Sequence, residues 1–119
     1  MGQRASRVAE ELRKVIAEIL LEELSGDPRL GFLTVTKIEV ADDLRFGKIF
    51  YSVLGTEEQK QSTAEALTDE LSFIRRLVAE RLNMKFAMDI RFELDPSIEH
   101  SFHIDSILKK IKKKEEGGK

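Results

Sequence analysis

Between Leu71 and Leu94 the chain changes period, and that change limits what the whole can fold into. Leu71, Ile74, Leu77, Val78 and Leu82 recur at helical spacing, forming one apolar stripe. Ile90, Phe92 and Leu94 then alternate with Arg91 and Glu93, as in a strand with one buried face. Asn83 reads as the helix stop between them. Charge changes sign in the same region. Glu57 to Glu70 holds five acids against Lys60, and Leu71 to Arg91 holds five bases (Arg75, Arg76, Arg81, Lys85 and Arg91) against Glu80 and Asp89. A basic helix that starts beside a sheet can hold a phosphate backbone.

At 119 residues the chain is the size of one domain whose core needs no staples. Hydrophobic residues at 41% and charged residues at 35% indicate a soluble globular protein with a densely charged surface. A net charge of −2 argues against capture of nucleic acid by the protein's overall field, so any such binding must come from a local basic face. Without cysteine there are no disulfides, thiolate chemistry or cysteine-ligated zinc, which suits a reducing cytoplasm. No apolar run exceeds three residues, too short for a membrane span or a signal-peptide core.

Val8, Leu12, Val15, Ile16, Ile19, Leu20 and Leu24 predict a first helix from Arg7 to Leu24. Ser6 could cap it, and Glu10–Lys14 is an i,i+4 pair worth about 0.2–0.5 kcal/mol. Ser25-Gly26-Asp27-Pro28 should end it, glycine by a left-handed cap and proline by being unable to continue. Phe32–Val40, rich in β-branched residues, and Phe46–Leu54 read as strands joined in a hairpin by Ala41–Arg45. In the second strand Ile49, Tyr51 and Val53 share one face, with Lys48, Phe50, Ser52 and Leu54 on the other.

Thr56 to Gln59 and Ser62 to Glu65 both match a capping box, so the next helix starts at one of them. One helix from Glu57 to Asn83 would run 27 residues and put Glu70 inside the arc of Leu67, Leu71 and Ile74. A break near Glu70 removes both difficulties and gives two helices, 57–70 and 72–83. After a strand at 89–94 and a turn at Asp95-Pro96-Ser97, the residues Ile98, Phe102, Asp105, Leu108 and Ile111 predict a weaker helix. The phenylalanines at 32, 46, 50, 73, 86, 92 and 102 are core candidates. The expected fold is α+β, a single domain over 1–108 in the order α-β-β-α-(kink)-α-β. A three-stranded sheet is backed by helices, and a basic tail covers 109–119.

That order is the one found in type II KH domains, which bind RNA. Asp27-Pro28-Arg29-Leu30-Gly31 before a Thr-rich strand resembles the ribosome-binding factor A family, as does Asp43-Leu44 before the second strand. Phe73-Ile74-Arg75-Arg76-Leu77, continuing through Arg81-Leu82 to Ile90-Arg91-Phe92, is similar to the same family. Asp95-Pro96-Ser97-Ile98-Glu99 and Ile104-Asp105 complete the pattern, which spans Arg7 to Leu108. The resemblance implies a non-enzymatic KH-like assembly factor that binds the immature small ribosomal subunit and its 16S rRNA. It also implies promotion of late maturation and 5′-end processing, and importance in cold growth. The chain departs from the family in two places. Glu70-Leu71-Ser72 stands where members tend to carry Ala-x-Gly, and Met88 where many have proline.

The candidate RNA-binding residues form three groups. Ser72, Arg75 and Arg76 lie beside the kink, with Lys85 further on, where they could track phosphates. Arg4, Arg7, Arg13 and Lys14 make the start of the first helix basic, against the preference of the helix dipole for acids there. Lys109, Lys110, Lys112, Lys113 and Lys114 could add up to five phosphate contacts, a log–log salt slope of about −4. Arg81 faces the apolar arc and is expected to snorkel or meet a carboxylate. For each group the plain alternative is a solvated face or a solubilising tail.

His100 and His103 are the only histidines, and without an HExxH pattern they read as structural or exposed. No metal or cofactor is expected. No glycine-rich phosphate loop, nucleophile elbow or recognisable carboxylate pair supports catalysis. The expected partner is the small subunit with its 16S rRNA, together with other assembly factors, for a monomer that does not enter membranes. A second reading is a protein-interaction module that docks a basic partner on its acidic 57–70 helix.

Overall fold

A computed structural model describes residues 2–96. The chain runs α1 (Gln3–Glu22), β1 (Phe32–Val40), β2 (Phe46–Leu54), α2 (Glu57–Asp69), α3 (Leu71–Arg81) and β3 (Asp89–Leu94). The fold is α+β, as expected, and all three strands keep the bounds their alternation predicts. The expected helix after Ile98, the histidine pair and the lysines of 109–114 lie outside the described residues.

The sheet has the order β1-β2-β3. β1 pairs antiparallel with β2 through the hairpin, and β3 pairs parallel with β2, from Phe46↔Asp89 to Tyr51↔Leu94. Parallel neighbours need a crossover, and α2 with α3 supplies it. One face of the sheet is covered. Ile38, Val40, Ile49, Tyr51, Val53 and Ile90 bury there against Leu12, Ile16 and Ile19 of α1, Leu67 of α2, and Ile74 and Val78 of α3. Burying each large aliphatic side chain contributes about 1.5–3 kcal/mol.

Helix ends follow local chemistry in three of the five cases the sequence addressed. Thr56 and Gln59 close a capping box, the Gln59 N–H donating to Thr56 Oγ1 at 3.2 Å and the Thr56 N–H to Gln59 Oε1 at 2.8 Å. Gly55, at φ +153°, leaves the room Gln59 needs; a Cβ there would lie 1.9 Å from Gln59 Oε1. The break falls at Glu70, shared by α2 and α3, with φ −94° and ψ 3°. Asn83 takes φ 51°, and the N–H groups of Asn83 and Met84 return to Glu80 and Ala79 at 3.3 and 2.9 Å. That pair of bonds is the Schellman stop, here built on asparagine.

The first helix differs from expectation. It starts at Gln3, with Gly2 as a cap lacking any side-chain bond. A tertiary contact replaces the Ser6 cap: the Gly2 N–H donates to Asp42 Oδ1 at 2.9 Å, in the β1–β2 turn. Gly26 is not left-handed; among the described residues Leu44, Asn83 and Gly55 have positive φ. Glu10 and Lys14 form no ion pair. Among the described residues no phenylalanine joins the buried apolar core, which is aliphatic apart from Tyr51 and the Met88 thioether, though Phe73 and Phe92 pack against it half-buried. Phe32, Phe46 and Phe50 occupy β positions that point away from the helices, so alternation sends them outward.

The Asp27-to-Gly31 loop is a clamp on α2. Arg29 donates from NH2 to Asp27 Oδ2 at 2.9 Å and from NH1 to Asp69 at the end of α2. Ser62 Oγ donates to the Arg29 carbonyl, and the Gly31 N–H to Thr63 Oγ1, both at 2.8 Å. The Arg29 guanidinium and backbone N–H hold the Asp27 carboxyl below its usual range.

Two predictions follow from this packing. Because the folded pKa of Asp27 is depressed, its contribution is complete above the unfolded value of about 3.9 and is lost as pH falls through the folded value. Urea midpoints across pH should therefore show Asp27→Asn less stable than wild type at neutral pH, with the gap closing below about pH 4. Met88, fully buried, fills space that Gly47 leaves open; a Cβ on Gly47 would meet its Sδ at 2.8 Å. Gly47→Ala should cost about 1–3 kcal/mol by overpacking, recovered in part by Met88→Ala on the same chain.

Candidate nucleic-acid interface

The position of each predicted cation follows from the parallel pairing of β3. Because β3 enters the sheet beside Phe46, α3 must deliver the chain to the end of the sheet that carries the β1–β2 turn. Lys85, past the end of α3, therefore lines one cleft with Arg4 of α1. Ser72 is in the first turn of α3, beside the break, and Arg76 is the middle residue of the helix. A helix of 11 residues is about 16 Å long, so the kink residues and Lys85 sit at opposite ends of it.

Arg75 has a partner that spacing could not show. Its guanidinium donates to Asp89 and, at 3.1 Å, to the Ile90 carbonyl, tying α3 to the first residues of β3. This occupies donors that a phosphate would need. Arg13 donates to the Val35 carbonyl at 3.3 Å, on the edge strand, where the register slips between Val35 and Lys37. Arg81 meets Glu18, Glu22 and Glu23 at 3.6, 3.8 and 3.3 Å, so the expected carboxylate contact is a cluster on α1.

The remaining predicted cations among the described residues are unpaired. Arg4, Arg7, Lys14 and Lys85 are exposed and have no carboxylate partner among the described residues, and Arg76 contacts only the Phe73 ring, at 5.7 Å. The helix-free face of the sheet is the opposite case. Lys37 pairs with Glu39 at 2.9 Å and Lys48 with Glu93 at 3.5 Å, and both ammonium groups lie within 6 Å of the Phe50 ring centroid. Glu39 also raises the pKa of Lys37. Charge available to an outside anion is therefore concentrated on the helices and the turn beside them.

Sequence reasoning missed Arg45 and Phe86. Arg45, in the β1–β2 turn, lies 4.9 Å from the centroid of the Phe86 ring, which is 41% exposed. The Lys85-Phe86 step was the available signal, but Phe86 reads as core when the pairing of β3 is unknown. The acidic helix is less open than its composition suggests, since Asp69 binds Arg29 and Glu57 binds Lys60 at 3.2 Å. Among the described residues no helix is long and apolar enough to cross a membrane, and no acidic or histidine cluster has metal-site geometry.

The family model described as ribosome-binding factor A matches residues 4–108. The chain belongs to that family. A ribosome-binding factor A from Halothermothrix orenii is 44% identical over 96% of this chain and 93% of its own length. The solution structure of a Thermotoga maritima protein described as a candidate ribosome binding factor A aligns at 33% identity with a TM-score of 0.66. It covers 76% of this chain and 86% of that one. A Thermus thermophilus ribosome binding factor A, fitted into a cryo-EM map of a 30S complex, shares the fold at TM-score 0.60 and 22% identity. That match covers 73% of this chain and 90% of the other. The type II KH-like order read from the sequence agrees with these family structures.

The two arginines side by side should separate cleanly. Arg75→Ala should lower stability by about 1–3 kcal/mol, through loss of its charge-assisted bond to half-exposed Asp89 and its bond to the Ile90 carbonyl. Arg76→Ala should stay within about 0.5 kcal/mol of wild type. Denaturant melts check both.

Proposed function

We propose that this chain is a ribosome assembly factor that binds the free or immature small subunit and its 16S rRNA. It promotes late maturation and 5′-end processing of that RNA, with its largest effect during growth in the cold. Family membership supports the reading, and the Thermus thermophilus relative was placed in a 30S complex. The structural observation that carries it is the set of unpaired cations on the helix side: Arg4, Arg7, Lys14, Arg76 and Lys85. A duplex or folded RNA is held chiefly through such phosphate contacts, which fix position without reading sequence. Ser72 and part of Arg75 border this surface, Arg13 turns from it to the Val35 carbonyl at the β1 edge, and the lysines of 109–114 would extend it. The domain proper is assigned to 1–108, with 109–119 as a basic tail, and the chain acts as a non-catalytic monomer in the cytoplasm alongside other assembly factors.

Co-sedimentation with free small subunits and with whole ribosomes, at low and moderate salt, tests this reading. Retention on free small subunits is expected, weakening with salt. Replacing Arg4, Arg76 and Lys85 together by Ala should reduce it and flatten the log–log salt slope by up to about 0.9 per lost contact. Absence of binding to either particle would reject the proposal and favour a basic protein partner on α2.

A further inference from the structure

The cleft shared by Arg4 and Lys85 has features that phosphate binding alone does not need. It lies between the start of α1, the β1–β2 turn and the α3–β3 loop, with a volume of ≈ 460 Å³. Small-ligand clefts span about 300–1,000 Å³. Phe86 forms part of its wall, and Arg45 stacks on that ring. Leu44 and Asn83 also line it, and they are the two non-glycine residues with positive φ among the described residues, at 62° and 51°. A leucine held left-handed is costly, and such positions cluster at binding sites.

Its charges are nearly balanced, so it is not a simple anion trap. Asp42 and Asp43 accept the backbone N–H groups of Gly2 and Arg45 at 2.9 and 3.0 Å. Glu11 lines the cleft with no partner among the described residues. The cleft thus combines an aromatic face backed by a guanidinium, an unspent carboxylate acceptor, and two cations at the rim. A planar π system suits the first, an exocyclic amine the second, and a phosphate the third. A nucleotide with an amino-bearing base has all three. Uracil lacks the amine, and the one donor on its pairing edge, N3–H, sits between two carbonyl oxygens that a carboxylate repels.

We propose that this cleft binds one unpaired adenine, cytosine or guanine nucleotide of an RNA strand, stacked on Phe86 and read by Glu11. The inference rests on the RNA-binding reading above and adds a base-selective subsite to it. Arg7 and Lys14 continue the unpaired charge along α1 away from Arg4, which favours a strand with flanking phosphates over a free nucleotide.

The test is an amide NMR titration of the full chain with short oligoadenylate, oligouridylate and AMP, alongside small-subunit co-sedimentation. Oligoadenylate should shift the amides of Leu44, Asn83 and Phe86 and bind several-fold tighter than oligouridylate, with AMP far weaker at the same amides. Phe86→Ala should lose about tenfold in oligoadenylate affinity with the salt slope unchanged, because stacking and not phosphate contact is removed. Phe86→Trp should retain binding, and Glu11→Gln should shrink the preference for oligoadenylate. Equal affinities for the two oligonucleotides, with shifts confined to residues 72–76, would overturn the proposal. AMP binding as tightly as oligoadenylate would overturn the strand assignment. If none of the three probes shifts the cleft while small subunits still retain the protein, the subsite is overturned and the assembly-factor reading stands. Loss of small-subunit binding in the wild-type chain would instead remove the reading beneath it.

Discussion

The parallel pairing of β3 with β2 is the constraint on which the rest depends. It obliges the chain to cross back over one face of the sheet, and α2 with α3 is that crossing. It also requires a break, because a single apolar stripe cannot serve both halves of the crossing. Glu70 supplies it with a ψ near zero and without glycine. Finally it returns the α3–β3 loop to the β1–β2 turn, where Asp42 holds the first residues of α1. Three segments distant in sequence meet there, and the cleft is the space between them.

Much of this was legible in residue order. The strands were marked by alternation, the start of α2 by Thr56 and Gln59, and the end of α3 by Asn83, each a local signal with a local cause. What failed was long-range. Ser6 looked like a cap because serine caps helices, yet a contact to Asp42 sets the start of α1. Phe32, Phe46 and Phe50 read as core because they are large and apolar, as are Phe73 and Phe92, which do pack against it. In a sheet covered on one side, half the positions face away from the helices, and Phe32, Phe46 and Phe50 fall on that half. Arg75 and Arg76 are adjacent and chemically alike, but a helix turns neighbours about 100° apart, so one reaches Asp89 and the other faces outward.

The departures from the family pattern have physical counterparts. Met88 is fully buried over Gly47, so the pair works as one packing unit. At Glu70-Leu71-Ser72 the break between the two helices is made without glycine, at φ −94° and ψ 3°. The unpaired cations are spread along α1, at the middle of α3 and past its end, so contact with an RNA surface need not centre on the kink. The Asp27-to-Gly31 motif carried much of the resemblance, yet in the structure it binds α2 through Arg29, Ser62 and Thr63. Its signature is one of architecture.

The central claim is that the helix side, from α1 across α3 to the cleft, is the ribosome-facing surface. Hydrogen exchange of the chain free and bound to small subunits measures this directly. The account predicts new protection in residues 3–14 and 72–86, with little change in the exposed turns of α2 over 57–65. Protection concentrated in 57–65, with 3–14 and 72–86 unchanged, would contradict it.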